Sequence, residues 1–334
     1  MIQFRGGLLP NDPTKERLRL GRHLAILPDS PPLVDYLSQV TTWPMFRNDL
    51  VADCVWATIG HTLQQTSLYG SGAQVGLADA DVLKGYMDVT GYEPTQTKAD
   101  GSNPTDVGTR IQDALGYWRT TGMGPDLGPG RGPHKILAFA EVDIRSRYEV
   151  QTAIRLFGSL HIGMRFPASA EAQFNAGQPW DVVVGGDGGI RDGHAIPVGY
   201  YDTVGRRFRG VTWATPQDMT WAFWDAYVTE GWIVVTPEWL NVHGLSPAGI
   251  DLQGLGEQLA VLTKTPNPFL SLPPLAPPPP PPPPPMPPVF DPVASANLTL
   301  ASVARPWVRA HHLGPANRRM AAGLLEWLAA IGQN

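Results

Sequence analysis

Three observations in the amino-acid sequence predict an α+β protein of two lobes. In the first half of the 334 residues, apolar side chains recur at helical spacing, as in Val55, Trp56, Ile59 and Leu63, and again in Val107, Ile111, Leu115 and Trp118. Beyond residue 133 the pattern changes to short strand-like runs, of which Leu160 to Phe166 and His194 to Tyr201 are the clearest. Helices gathered before strands is the arrangement of an α+β fold rather than of alternating βα units. The third observation is a second change of character near residue 245, where proline-rich sequence leads into two amphipathic stretches.

Residues 1–40 are rich in Pro, Leu and Arg and read as an extended N-terminal arm. The main domain is expected over 41–245. Its helices are expected at 54–69, 78–89 and 104–121, followed by a Gly/Pro-rich loop over 122–133. Then come a strand at 135–142, a short helix at 147–157 and a strand at 160–166. Strands at 194–201 and 207–213 are joined by a turn at Thr203-Val204-Gly205; a helix at 219–228 and a closing strand at 232–236 complete the domain. A connecting segment, 246–272, holds a weak helix at 252–262. Over 273–288 the proline density predicts a stiff polyproline II rod, rising roughly 3.1 Å per residue. Such a rod is a spacer first, and a ligand for SH3- or WW-type domains only in a signalling setting that nothing else here indicates. The C-terminal helical tail, 289–334, carries Leu298, Val303, Trp307, Leu324, Leu325, Trp327 and Leu328 on its apolar faces, too little for a robust core of its own. It is expected to dock on the main domain, on a second copy or on a partner. The sequence contains no internal repeat.

Hydrophobic residues at 43% and charged residues at 16% describe a globular chain. A net charge of -5, with scattered arginines, gives no electrostatic case for nucleic acid. No apolar run approaches a bilayer-spanning length and no secretory signal pattern opens the sequence, so membrane partners are not expected and synthesis is expected in the cytoplasm. The single cysteine excludes an intramolecular disulfide. No cofactor and no metal is called for.

That cysteine, Cys54, carries the strongest chemical signal. It follows a loop-like Asn48-Asp49-Leu50-Val51-Ala52-Asp53 and opens a helix, where free backbone N–H groups and the helix dipole favour a thiolate. A lone cysteine is more often a small buried hydrophobe. The context outweighs that here, because a base and an oxyanion donor are also on offer. His194, between Gly193 and Ala195 at the start of a strand, is the candidate general base. Asn48, six residues before Cys54, is the candidate oxyanion donor beside the Cys54 backbone N–H, against a plain turn role for Asn48. His61 is the rival base, but seven helical residues put it roughly 10 Å from Cys54, and it reads as a surface or helix-end residue. Asp53 would raise the thiol pKa unless it is turned into an N-cap, its expected use.

The sets Asn48, Asp49, Asp53, Cys54, Ala57, His61; Gly193, His194, Ala195, Gly199, Tyr200, Asp202; and Thr212, Trp213, Met219, Thr220, Phe223, Tyr227 together resemble papain-like proteins of the C1 type, and within them a branch of actinobacteria and their tailed phages. The spacing of about 140 residues between Cys54 and His194 is in keeping with this. The resemblance covers about residues 40 to 240. It implies a papain-like two-lobed fold, a Cys54 nucleophile, a His194 base, and Asn48 in the place of the oxyanion-hole glutamine. It also implies an imidazole-orienting residue where papain-like enzymes have Asn-Ser-Trp. This chain reads Val211-Thr212-Trp213, so Thr212 takes that place, with Gln217 or Asp202 as substitutes. Two functions follow as expectations. The first is a cysteine peptidase acting on polypeptide or peptidoglycan peptides. The second is a non-catalytic virion or tail protein that uses the fold as scaffold and assembles, with itself or in a virion, through its C-terminal helices. Amidase or transglutaminase-like chemistry would use the same residues.

Overall fold

The computed structural model describes residues 5–15, 17–22, 30–125 and 132–239, with Glu257 and Ala260. The chain divides into two units, Met1–Pro277 and Pro278–Asn334, and every described residue belongs to the first. The expected proline rod and helical tail lie outside the described residues, as does the 252–262 helix but for Glu257 and Ala260.

The helical lobe is built from α1 (Cys54–Ser71), α2 (Asp79–Thr90) and α3 (Ile111–Thr120). Helix α1 is buried on every side through Ser67, which is why its apolar stripe is broad and its polar residues bond inward to its own carbonyls, as Thr58 and Thr66 do. It ends at Gly72, in the left-handed conformation of a helix C-terminus. Helix α3 starts seven residues later than the periodicity predicts. Gly108 adopts a φ of +75° and Thr109 pairs with another segment, so residues 104–110 form a loop whose Val107 is exposed.

The second lobe is a seven-stranded antiparallel sheet of order β2-β7-β3-β4-β5-β6, with β1 (Leu33–Asp35) added on β4. Its strands are β2 (Ala138–Glu141), β3 (Leu160–Pro167), β4 (Ile190–Asp202), β5 (Arg207–Thr212), β6 (Thr215–Thr220) and β7 (Val228–Val235). Helices α4 (Arg147–Phe157), α5 (Ala168–Asn175) and α6 (Trp221–Tyr227) cover it. Strand β6 replaces the first part of the expected 219–228 helix; it lies at the sheet edge, where Pro216 costs no interior ladder bond.

Two main apolar clusters follow the two lobes. One packs the sheet under α4 and α6 around Phe157, Phe166, Trp180, Phe208 and Trp224. The other packs α1, α2 and α3 around Trp56, Tyr86 and Trp118, and includes Cys54, Ala195, Trp232 and, from the arm, Leu8. Cys54 and His194 thus sit on facing elements, one at the head of α1 and one on β4, whose mutual packing is the largest between a helix and the sheet.

Candidate active site

Cys54 is the first residue of α1 and only 1% exposed. Two backbone N–H groups bond to its sulfur and lower its pKa: that of Ala195, the neighbour of His194, and that of Val55. Burial outweighs them, and Asp53 and Asp192 add their charge in the same direction, so the thiol is pushed up to about 12. Asp53 stands at the N-cap position but makes no capping bond, contrary to expectation. Its Oδ1 instead accepts from Asn48 Nδ2 at 3.1 Å, and burial holds its carboxyl well above the usual carboxylate range. Asn48 is itself buried, in a turn anchored by its N–H on Met45 O. Its amide is thereby oriented through Asp53, next in the chain to the thiol.

His194 is fully buried on β4. Its Nε2 lies 2.9 Å from Thr212 Oγ1, and its ring stacks on Trp213 with centroids 4.8 Å apart and planes at 15°. Phe166 meets the same ring edge-on at 5.3 Å. If Nε2 carries the proton and donates to Thr212, acid–base work falls to Nδ1. Burial lowers the imidazole pKa to about 3.

The Thr212–Trp213 pair is delivered by the β5–β6 hairpin. Thr212 pairs with Thr215, so Trp213 and Ala214 form a two-residue loop, with φ values of 44° and 60°. Such loops demand positive φ at both positions and usually hold Asn-Gly; here Trp and Ala accept the strain. Across the hairpin, Arg209 grips Asp218 with both Nε, at 2.6 Å, and Nη2, at 3.2 Å. Neither of the other candidates for orienting the imidazole is arranged for it. Gln217 donates to the carbonyls of Gln178 and Asp218, and Asp202 accepts from Val204 and Gly205 in the turn after β4.

His61 is neither at the surface nor at a helix end. It is buried in α1 between the rings of Trp43 and Phe46, with Nε2 2.8 Å from Pro44 O, and burial lowers its pKa to about 4. Its role is to tie the 43–46 segment to α1.

The N-terminal arm runs between the two lobes at this point. Gly7 N–H and Leu8 N–H both donate to Gly193 O at 3.2 Å, Thr109 N–H donates to Gly7 O at 2.7 Å, and Leu9 N–H donates to Thr109 O at 3.0 Å. The approach is too close for side chains. A Cβ on Gly6 would lie 2.1 Å from the Asp192 carboxylate, one on Gly7 2.2 Å from Ala52 O, and one on Gly193 2.4 Å from Leu8 O. Ala52 and Gly193 stand two residues before Cys54 and one before His194, so the arm passes beside the turn that leads into Cys54 and the strand that carries His194. Thr109 is held in turn by Trp56 Nε1, 3.0 Å from its Oγ1. Asp106 accepts from Tyr86 O–H at 2.7 Å and from Ala52 N–H at 3.0 Å, linking this loop to the Cys54 turn. Thr109 and the arm carry no sequence motif; the glycines at 6, 7, 108 and 193 are the signal that could have marked a close backbone approach.

Among solved structures the chain is similar to xylellain, a cysteine protease from Xylella fastidiosa, with a TM-score of 0.52 and 15% sequence identity over 69% of this chain and 96% of that one. Weaker similarities are a structure from work on the mite allergens Blo t 1 and Der p 1 (TM-score 0.43, 12% identity, 66% of this chain and 74% of that one) and procathepsin B S9 from Trypanosoma congolense (0.46, 10%, 70% and 86%). No protein-family model and no curated protein matches the sequence. The fold is therefore that of a two-lobed, papain-like α+β protein.

Proposed function

We propose that this chain is a papain-like cysteine peptidase, with Cys54 as nucleophile, His194 as base, Thr212 and Trp213 holding the imidazole, and Asn48 supplying an oxyanion donor. One observation carries the reading. A length of extended polypeptide, the arm itself, crosses between the elements that carry Cys54 and His194 and is held through its backbone by Gly193 and Thr109. A cleft that recognises main chain in this way suits a polypeptide substrate. In the reaction the thiol proton passes to His194 and the sulfur attacks the scissile carbonyl. His194 then returns the proton to the leaving amine, and water releases the acyl group from sulfur by the same base.

With the arm in place the thiol and imidazole are both held neutral, so the chemistry requires the arm to leave and water to enter. The test is cleavage of an unfolded polypeptide, followed by mass spectrometry, for the wild type, Gly7→Ala and Cys54→Ala. Cleavage faster in Gly7→Ala and absent in Cys54→Ala supports the reading. No cleavage by Gly7→Ala, although its Cys54 is accessible to alkylation, overturns it.

A second reading, a scaffold that keeps the fold without the reaction, is favoured by the burial that drives Cys54 to about 12 and His194 to about 3. The actinobacterial and phage setting, and assembly through the C-terminal helices, rest on the sequence alone.

A further inference from the structure

The turn that delivers Asn48 is strained, and α1 holds it in that state. Phe46 and Arg47, neither of them glycine, adopt left-handed φ values of 53° and 63°. A glycine takes that conformation freely, so other contacts must fix these two residues in it. Behind them the turn closes on itself. Asn48 N–H donates to Met45 O at 3.1 Å, and the N–H groups of Leu50 and Val51 donate to Arg47 O at 2.8 and 3.0 Å. In front, the hold comes from two adjacent residues of α1. His61 Nε2 lies 2.8 Å from Pro44 O, and since a carbonyl only accepts, that nitrogen carries the proton. The same ring meets Trp43 edge-on at 5.5 Å and lies against Phe46 at 5.1 Å. Gly60 gives the wholly buried Phe46 ring its seat: a Cβ there would lie 2.7 Å from Phe46 Cε2. At the other end of the turn, Asn48 Nδ2 spends one hydrogen on Asp53 Oδ1, at 3.1 Å, and has a second to offer.

We propose that His61 is a positioning residue for the oxyanion donor: by holding Pro44 O and the Phe46 ring from α1, it sets the Phe46-Arg47 turn so that the second amide hydrogen of Asn48 faces the charge that develops beside Cys54. His61 touches neither substrate nor thiol and acts only through the turn. The inference rests on the peptidase reading of this site and adds how its oxyanion donor is placed. Cys54 and His61 belong to one helix, so nucleophile and donor are referred to the same rigid element. Burial keeps the His61 pKa down at about 4, so the ring remains a neutral N–H donor to Pro44 O above that pH. Placement of this kind matters because an oxyanion donor acts only if it is fixed before the charge develops, and a displacement of about 1 Å can cost about 10²-fold in rate.

The test compares two small reagents on the one thiol of the full chain. Iodoacetamide reads the thiolate alone, because displacement of iodide places no charge on a carbonyl oxygen. 4-Nitrophenyl acetate reads thiolate and oxyanion donor together: the sulfur adds to the ester carbonyl, the C–O bond to 4-nitrophenolate breaks, and the acetyl group stays on sulfur. Any opening of the site serves both reagents, so the ratio of acetylation to alkylation of Cys54, counted by peptide mapping, reads the donor. His61→Phe keeps a ring but cannot donate to Pro44 O. It is expected to lower the ratio by about tenfold or more while the pH midpoint of alkylation stays where it was. Asn48→Ala should lower the ratio as far, and the double variant no further, because His61 acts through Asn48. His61→Gln, whose Nε2 can donate to the same carbonyl, should restore most of it. Gly60→Ala, which displaces the Phe46 ring and leaves His61 intact, should also lower the ratio and decides the matter if His61→Phe does not fold. A ratio unchanged in these variants, an equal fall in both reactions, or losses that add to those of Asn48→Ala overturn the proposal. A ratio unmoved by Asn48→Ala removes Asn48 as donor and the proposal with it. Alkylation of Cys54 without any acetylation in the wild type overturns the peptidase reading itself.

Discussion

Releasing the arm should expose the thiol, and Gly7→Ala is the smallest change that does it. The added methyl would sit 2.2 Å from Ala52 O, a backbone atom held through the Ala52 N–H on Asp106, so the arm rather than the wall must shift. A shift large enough to relieve that overlap breaks the Gly7 N–H bond to Gly193 and leaves Thr109 N–H without Gly7 O. Losing such bonds, with one buried donor left unsatisfied, costs the docked arm about 2–4 kcal/mol. Labelling of Cys54 proceeds through the open state, so the same free energy reappears as a rate increase of about 30- to 700-fold, until the arm is mostly undocked. The assay is iodoacetamide alkylation at pH 7.5, read by intact mass, which is unambiguous in a chain with one cysteine. Gly116→Ala is the control, because nothing lies within 4 Å of its added methyl. An unchanged labelling rate in Gly7→Ala, with its circular dichroism and melting as in the wild type, would refute the idea that the arm shields the site.

In the Gly7→Ala background, Thr212→Val should slow labelling at pH 7 by about tenfold or more and move its midpoint towards the ordinary thiol value of about 8.5, since His194 loses its fixed tautomer; an unmoved midpoint would remove Thr212 from the site. Ala214→Gly should raise the unfolding free energy by about 1 kcal/mol in urea, because it relieves a φ of 60°; a loss of stability would mean that the loop is not strained. Acid should weaken the fold, and the sign follows from which state binds protons. His61, His161 and His194, lowered by burial to about 4, 3 and 3, take up protons only on unfolding once the pH falls below about 6.5, so their contribution is complete above that value and is lost towards 3–4. Glu230, raised to about 7, binds a proton in the folded state and offsets one of those three between pH 6 and 5, and Asp53, raised well above its ordinary value by burial, acts in the same direction. Each proton left uncompensated makes the fall about 1.4 kcal/mol per pH unit, and Glu230→Gln, which removes one offset, should steepen it by about that amount; urea midpoints at pH 6 and 5 that are the same for both proteins would contradict the assignment.

Much of the candidate site's local structure was legible because its signals are local. The stripe of Val55, Trp56, Ile59 and Leu63 announces α1, and α1 begins at Cys54. The small Gly193 and Ala195 beside His194 suit a histidine facing a cleft, and Leu8 O does approach Gly193 closely; Thr212 and Trp213, set after the histidine by the resemblance, lie against its ring. What was not legible depends on distant partners. Helical periodicity over 104–121 concealed that Gly108 and Thr109 leave the helix to pair with the arm, a contact between residues about 100 positions apart. His61 looked polar and therefore superficial, but one backbone carbonyl, Pro44 O, satisfies it inside the core. Asp53 looked like a cap by position alone. Its side chain has a stronger use in holding Asn48, and no local propensity reveals that choice.

The strained hairpin bears on whether the fold is kept for chemistry or only as a frame. Trp213 and Ala214 are non-glycine residues at φ of 44° and 60° in a loop that Asn-Gly would make without strain, and each costs on the order of 1–3 kcal/mol. What the strain secures is specific: a tryptophan face stacked on His194 and a threonine hydroxyl on its Nε2. A scaffold would gain nothing from orienting one buried imidazole so closely. The low pKa of that imidazole and the high pKa of the thiol argue the other way, and burial is the main cause of both, so on the peptidase reading the site has to admit water before it can react. On the peptidase reading the site would be assembled and held off by the arm, and the four glycines that admit the arm are where that reading can be tested without touching Cys54, His194 or Thr212.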